Sequence, residues 1–276
     1  MRPRSGFLRA LTLTTALVVA GQPVRASQIA QDGFSPSFPV YANSGTGFSG
    51  PWIQGGFNAF ASGYTPMEDS LCRANLRTSG GRISGGAFSA INGAIRTLAQ
   101  PLGQDNTTVY VSFLLQPQGT LNGGIFGGFF GLTLNGSLGN DLFIGKPGGG
   151  AGEEYVLEAR GGSGQVPSGT RAVVGRTALL VVKAEFLPGR DAFTLYVNPK
   201  PGGTEPATGV TKADLDLGVV SKVGIYSTGA FAVDEVRIGT TYADVVPTGR
   251  NPHGPHNPHD LQHDDSPGCD DDRDDR

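Results

Sequence analysis

The sequence predicts an all-β protein, an antiparallel β-sandwich or jelly roll, and three observations carry that reading. Residues 178–198, Ala-Leu-Leu-Val-Val-Lys-Ala-Glu-Phe-Leu-Pro-Gly-Arg-Asp-Ala-Phe-Thr-Leu-Tyr-Val-Asn, alternate with a period of two on both sides of a turn. The 44 glycines among 276 residues, about twice the usual share of roughly 7%, join 19 prolines in dividing the chain into short β-branched and aromatic runs. No stretch between them carries a convincing helical repeat.

In the hairpin, Leu180, Val182, Ala184 and Phe186 fall at one parity, with Lys183 and Glu185 at the other. Phe193, Leu195 and Val197 alternate with Thr194, Tyr196 and Asn198 on the second arm. In the connecting Pro188-Gly189-Arg190-Asp191, proline presets φ, glycine accepts positive φ, and aspartate can bond back to the chain. Phe186, Phe193 and Leu195 are therefore expected in the core, and Lys183, Thr194 and Tyr196 on the outer face.

Taken in order, residues 1–26 read as a signal peptide. Arg2, Arg4 and Arg9 precede an uncharged apolar run over 10–20, and Val24-Arg25-Ala26 fits small-residue cleavage before Ser27. The folded domain is expected over 27–250. Short strands are expected at 56–64 and 71–77, and strand or irregular structure at 87–99. A strand at 107–115 puts Val109, Val111, Phe113 and Leu115 on one face and Thr108, Tyr110 and Ser112 on the other. The glycine-phenylalanine run at 123–131 reads as a curved central strand with its phenylalanines in the core. Strands at 141–144 and 153–160 are bordered by surface loops at 145–152 and 161–169. A Pro/Gly loop at 199–206 leads to closing strands at 219–226 and 230–238.

Charge narrows the partners. Residues 1–26 hold four arginines and no acid, and 251–276 hold eight aspartates against two arginines, so the body between them carries a net charge of only −1. Such a body has no long-range field for nucleic acid or an anionic membrane, whereas a neutral glycan or polysaccharide suits it. Two cysteines, Cys72 and Cys269, lie far apart in sequence. The reading here is a buried, unpaired Cys72 and a free or intermolecular Cys269.

Three stretches together resemble the concanavalin A-like, laminin G-like jelly-roll superfamily, in particular its small secreted bacterial members. They are Phe231-Ala-Val-Asp234-Glu235-Val-Arg237-Ile238, the hairpin at 178–198, and Asp32-Gly33-Phe34 followed by a glycine run and Trp52. The resemblance spans 31–247 and implies the fold; lectins, carbohydrate-binding modules, glycosidases and lyases all share it. Some bacterial relatives end in a Pro-Glu-Pro motif and an apolar helix. Here Val245-Val246-Pro247 is followed by no apolar segment, so a released protein without a membrane anchor is expected.

Catalytic patterns are thin. Glycosidases of this fold carry a Glu-x-Asp-x-(x)-Glu strand, and the nearest match is Glu154-Tyr155-Val156-Leu157-Glu158, with valine at the central position. Glu154 and Glu158 share a face about 13 Å apart, beyond the roughly 5 Å of a retaining pair. All four histidines lie after residue 250, leaving the domain no imidazole base. Parity places Asp234 with Val236 and Ile238, pointing inward, where backbone amides, an arginine or calcium would satisfy it. His253, His256, His259 and His263, with neighbouring aspartates, are candidate transition-metal ligands on a tail expected to be disordered.

The function expected is therefore a secreted, non-catalytic module that binds carbohydrate or acts at a surface or matrix. Tyr110, Tyr196 and Trp52 are the candidate aromatic platforms for a sugar ring. The alternatives are a glycoside hydrolase or polysaccharide lyase of the same fold, and a structural module with a metal-binding tail.

Overall fold

A computed structural model of the protein describes residues 27–35, 44–54, 64–85, 91–119, 121, 128–148, 153–160 and 164–249. Its strands in chain order are β1 (Gln28–Asp32), β2 (Ile53–Gln54), β3 (Tyr64–Met67), β4 (Arg82–Gly85), β5 (Ile91–Leu102), β6 (Thr107–Pro117), β7 (Phe130–Gly136) and β8 (Asp141–Lys146). There follow β9 (Glu154–Arg160), β10 (Gln165–Arg171), β11 (Ala178–Phe186), β12 (Ala192–Val197), β13 (Val210–Lys212), β14 (Val220–Thr228), β15 (Phe231–Gly239) and a one-turn helix α1 (Tyr242–Val245). Among the described residues no helix is long and apolar enough to cross a membrane.

The strands form two antiparallel sheets. The first runs β13-β12-β11-β6-β15-β4-β3, with β1 lying beside the second half of β15; the second runs β10-β9-β8-β7-β14-β5-β2. Alternation decides what lies between them. Val109, Val111, Phe113 and Leu115 of β6 meet Phe130, Leu132 and Leu134 of β7 and Tyr155, Leu157 and Ala159 of β9 in one core. Phe193 and Phe186 are buried there with their rings edge to face, and burying each such side chain is worth about 1.5–3 kcal/mol.

The hairpin folds as its alternation predicts. Leu180 pairs with Val197 and Ala184 with Phe193, while Lys183 and Thr194 are opposite one another on the outer face. Gly189 takes φ +90°, and the Asp191 carboxylate accepts the amide of Leu187 across the turn at 3.1 Å. Its other oxygen accepts the amide of Leu217 at 2.9 Å, fastening the hairpin tip to the strand connection beyond β13.

Four expectations need correction. Residues 165–171 form strand β10 rather than surface loop: main-chain pairing to β9 overrides the Gly/Pro/Ser signal, with a register shift between Pro167 and Arg171 around left-handed Gly169. Residues 71–77 are irregular, touching a strand-like partner only at the Leu76–Thr248 bridge. Cys72 is half-buried and disulfide-bonded, not buried and unpaired; Cys269 lies outside the described residues, as do 1–26 and 250–276. Asp234 does not share the inward face of Val236 and Ile238. A bulge at Glu235, with φ +52°, shifts the register between Asp234 and Arg237 and turns Asp234 outward.

Candidate functional site

The aromatic candidates are each placed by their strand's parity and then sealed by something else. Trp52 is 1% exposed. Its indole Nε1–H donates to Asp32 Oδ2 at 2.8 Å, and Phe34 and Phe48 pack against its ring. Asp32 is a hub: it accepts the amide of Phe34 and the guanidinium of Arg96, which also donates to the carbonyls of Gly50 and Ser44. Burial pushes the Arg96 guanidinium below its usual range, while Asp32 opposes that shift. Trp52 therefore belongs to a buried structural centre that fixes the end of β1 against β5.

Tyr110 and Tyr196 do point away from the core, yet each is only 7% exposed. The chain after β12 turns back over them, and Glu205 accepts both hydroxyls, at 2.8 and 2.7 Å. Tyr242 of α1 stacks edge-on against both rings. Burial, and then the Glu205 carboxylate, raise both tyrosine pKa values; burial pushes Tyr242 up to about 12. With Leu114, Leu179, Val181, Val245 and Val246 they form a second hydrophobic cluster on the outer face of the first sheet. The missed signal was Glu205, the sole acid in the 199–206 loop.

The outer face of the second sheet has another character. Register aligns Glu158, Phe143, Thr133, Gly224, Ile95 and Ile53 in one row across it, and Val156, Gly145, Gly131, Tyr226 and Gly93 in the next. The Phe143 ring lies on Gly131, where a Cβ would come within 1.9 Å of it. A third row holds Asp141, Asn135, Lys222 and Thr97, partly or fully exposed. Glu154 and Glu158 do share this face, separated by buried Val156. Each is engaged by β10, Glu154 accepting the Gly169 amide and Glu158 the Gln165 side-chain amide.

An open groove lies where the outer edges of the sheets approach each other, β10 on one side and β12–β13 on the other. It encloses about 370 Å³. Ser168 and Thr170 come from β10; Leu195, Tyr196 and Val197 from β12; Pro199, Pro206, Thr208, Gly209 and Val210 from the following segment. None of these ten residues is charged. The Tyr196 ring is seated on Gly209, where a Cβ would come within 2.8 Å of its Cδ1. β13 accompanies β12 only from Phe193 to Leu195. The Asn198 amide bonds inward to Leu179, so alternation directs the main-chain groups of Val197 outward, toward the groove. Of the three aromatic candidates, Tyr196 is the one that lines this groove.

The remaining perturbed carboxylates are structural. Asp234 accepts the amides of Leu71 and Glu235, and Glu235 accepts the Ser79 amide and the Arg237 guanidinium. Burial raises both; at Asp234 the neighbouring Glu235 charge adds to it and carries the group well above its ordinary value, while at Glu235 the Arg237 guanidinium opposes the shift. Among the described residues no group of three or more His, Cys, Asp or Glu is gathered for a metal. The four tail histidines lie outside the described residues.

No protein-family model and no curated protein matches the sequence. Solved structures do match. Domain 4 of AbnA, a GH43 extracellular arabinanase from Geobacillus stearothermophilus, in complex with arabinotriose, superposes with TM-score 0.51 at 12% identity, covering 80% of this chain and 97% of that one. The endo-1,3-beta-glucanase from Streptomyces sioyaensis gives 0.48 at 11%, covering 79% and 97%. A glycosyl hydrolase family 16 protein from Mycobacterium smegmatis gives 0.41 at 12%, covering 77% and 100%. The likeness is one of fold: the chain is a concanavalin A-like jelly roll.

Proposed function

We propose that the protein is a secreted, non-catalytic carbohydrate-binding β-sandwich that takes a neutral glycan in the groove beside Tyr196. The observation that carries this reading is the lining: a concave site of sugar size, with the hydroxyls of Ser168, Thr170 and Thr208, proline and tyrosine surfaces, and no charge. Such a surface offers hydrogen bonds to hydroxyl groups and apolar contact to ring faces, without the desolvation cost of a buried charge. The near-neutral body agrees with it, and so does the likeness of fold to domain 4 of the arabinanase, whose structure is a complex with arabinotriose.

Calorimetric titration with a panel of neutral polysaccharides and their oligosaccharides tests the reading. The wild type should bind at least one member. Thr170→Trp and Thr208→Trp, which fill the groove, should weaken that binding at least tenfold with the melting temperature kept. Because no ion pair is involved, Kd should hardly change with added salt. Failure of every neutral glycan to bind, or unchanged binding by both variants, sinks the proposal. Release of reducing ends that is lost in Glu154→Gln or Glu158→Gln would replace it with a hydrolase acting on the outer face of the second sheet.

A further inference from the structure

The groove beside Tyr196 has two unlike ends. Leu195 and Val197 of β12 and Val210 of β13 turn inward and pack against the core, with Ser168 and Thr170 of β10 opposite them. Period two makes Lys212 the next inward position on β13. It pairs with buried Phe193, and its side chain is 2% exposed. A buried ammonium ion needs hydrogen-bond partners, and Lys212 finds one of them across the gap. Its Nζ donates to the carbonyl of Gly164, at the head of β10, at 3.0 Å, and pairs with the Asp214 carboxylate at 2.9 Å. β13 and β10 are the terminal strands of their sheets, so this side chain ties the two edges together just past Val210. At the other end the wall is the segment 206–209, where Ala207, Thr208 and Gly209 are exposed and the groove meets solvent.

Resting on the glycan reading above, we propose that the groove receives the end of a glycan chain rather than an internal stretch of one. An internal stretch continues in both directions and needs a cleft open along its whole length. The Lys212 tie stops one of those continuations, whereas a terminus can enter from the Thr208 side and halt against it. A terminal sugar also presents a hydroxyl that an internal unit has given up to its glycosidic bond, and the uncharged walls with their serine and threonine hydroxyls can bond it. Lys212 is thereby a positioning residue: it acts through Gly164 and Asp214, and its reach sets where the groove ends.

The experiment uses the full-length protein with linear neutral glucans, xylans and arabinans as probes. Each is titrated as the intact polymer and as short oligosaccharides of the same linkage, at equal mass of sugar. Binding at equal mass should rise in proportion to the number of chain ends, so that oligosaccharides outcompete the polymer they come from. Lys212→Ala, whose side chain cannot reach Gly164, should lose that preference and bind polymer and oligosaccharide alike. Equal binding of the two forms by the wild type overturns chain-end recognition and leaves the glycan reading standing, whereas silence from every probe removes both. If Lys212→Ala does not fold, the wild-type comparison decides alone. A folded Lys212→Ala that keeps the full preference overturns the role given to the tie.

Discussion

On the first sheet, the outward side chains of β6, β11 and β12 lie beneath the 199–206 loop, α1 and the 71–76 segment, and they are nearly as dry as the core. On the second sheet, the outward rows pass from a glycine-floored aromatic strip, with Phe143 on Gly131, to Asp141, Asn135 and Lys222, which reach solvent. Both faces obey the same alternation. Period two decides which side of a sheet a residue occupies, whereas what that side meets is decided by connections distant in sequence. One carboxylate, Glu205, turns two outward tyrosines into interior residues.

The largest test of that contrast is Glu205→Ala. It leaves two buried tyrosine hydroxyls without their acceptor and should destabilise the protein by about 3 kcal/mol, at 1–3 kcal/mol for each unsatisfied group. A change under about 0.5 kcal/mol in urea unfolding would mean that the cover on the first sheet is incidental. Next is Gly131→Val on the second sheet. The new side chain must displace the Phe143 ring, an overpacking cost of about 2 kcal/mol, and a fully stable variant would show that the ring is not seated there.

Asp191, which ties the hairpin tip to the β13–β14 connection, gives a smaller, pH-dependent effect. Burial raises its pKa first, against the two amides it accepts. A carboxylate raised in the folded state contributes stability that is full below its unfolded pKa and is lost as pH rises through the folded one. The stability advantage of wild type over Asp191→Asn should therefore shrink by about 1.4 kcal/mol per unit of pKa elevation across that window. An advantage that grows with pH, measured by urea midpoints from acid to neutral, contradicts the assignment. The smallest effect belongs to Lys222→Ala on the open row, expected to lie within about 0.5 kcal/mol of wild type; a larger loss would show that this face, too, is under cover.

Much of the frame was legible. The hairpin, its turn, the alternation of β6 and the closing strands follow from residue type and period alone. What escaped was whatever depends on main-chain pairing or on loops folding back. β10 is written in glycine, proline and serine, and becomes a strand because β9 offers it a ladder. The bulge at Glu235 breaks parity in the middle of a regular-looking run, so Asp234 was read on the wrong face. The groove has no motif, because its walls come from 168–170, 195–199 and 206–210, which nothing in the sequence links. Tyr196 lacks the exposure its parity predicts, and its ring lines the groove with its hydroxyl on Glu205 and its edge on Gly209.

β1 pairs with β15, so the first strand of the domain finds its partner in the last. The sheet is therefore incomplete until more than two hundred intervening residues have been positioned, the kind of non-local closure that slows folding. The Asp32 hub sits at the end of β1 and holds the protein's single tryptophan. Trp52 emission consequently reports assembly of that hub, where β1, β5 and the Phe34 and Phe48 rings meet.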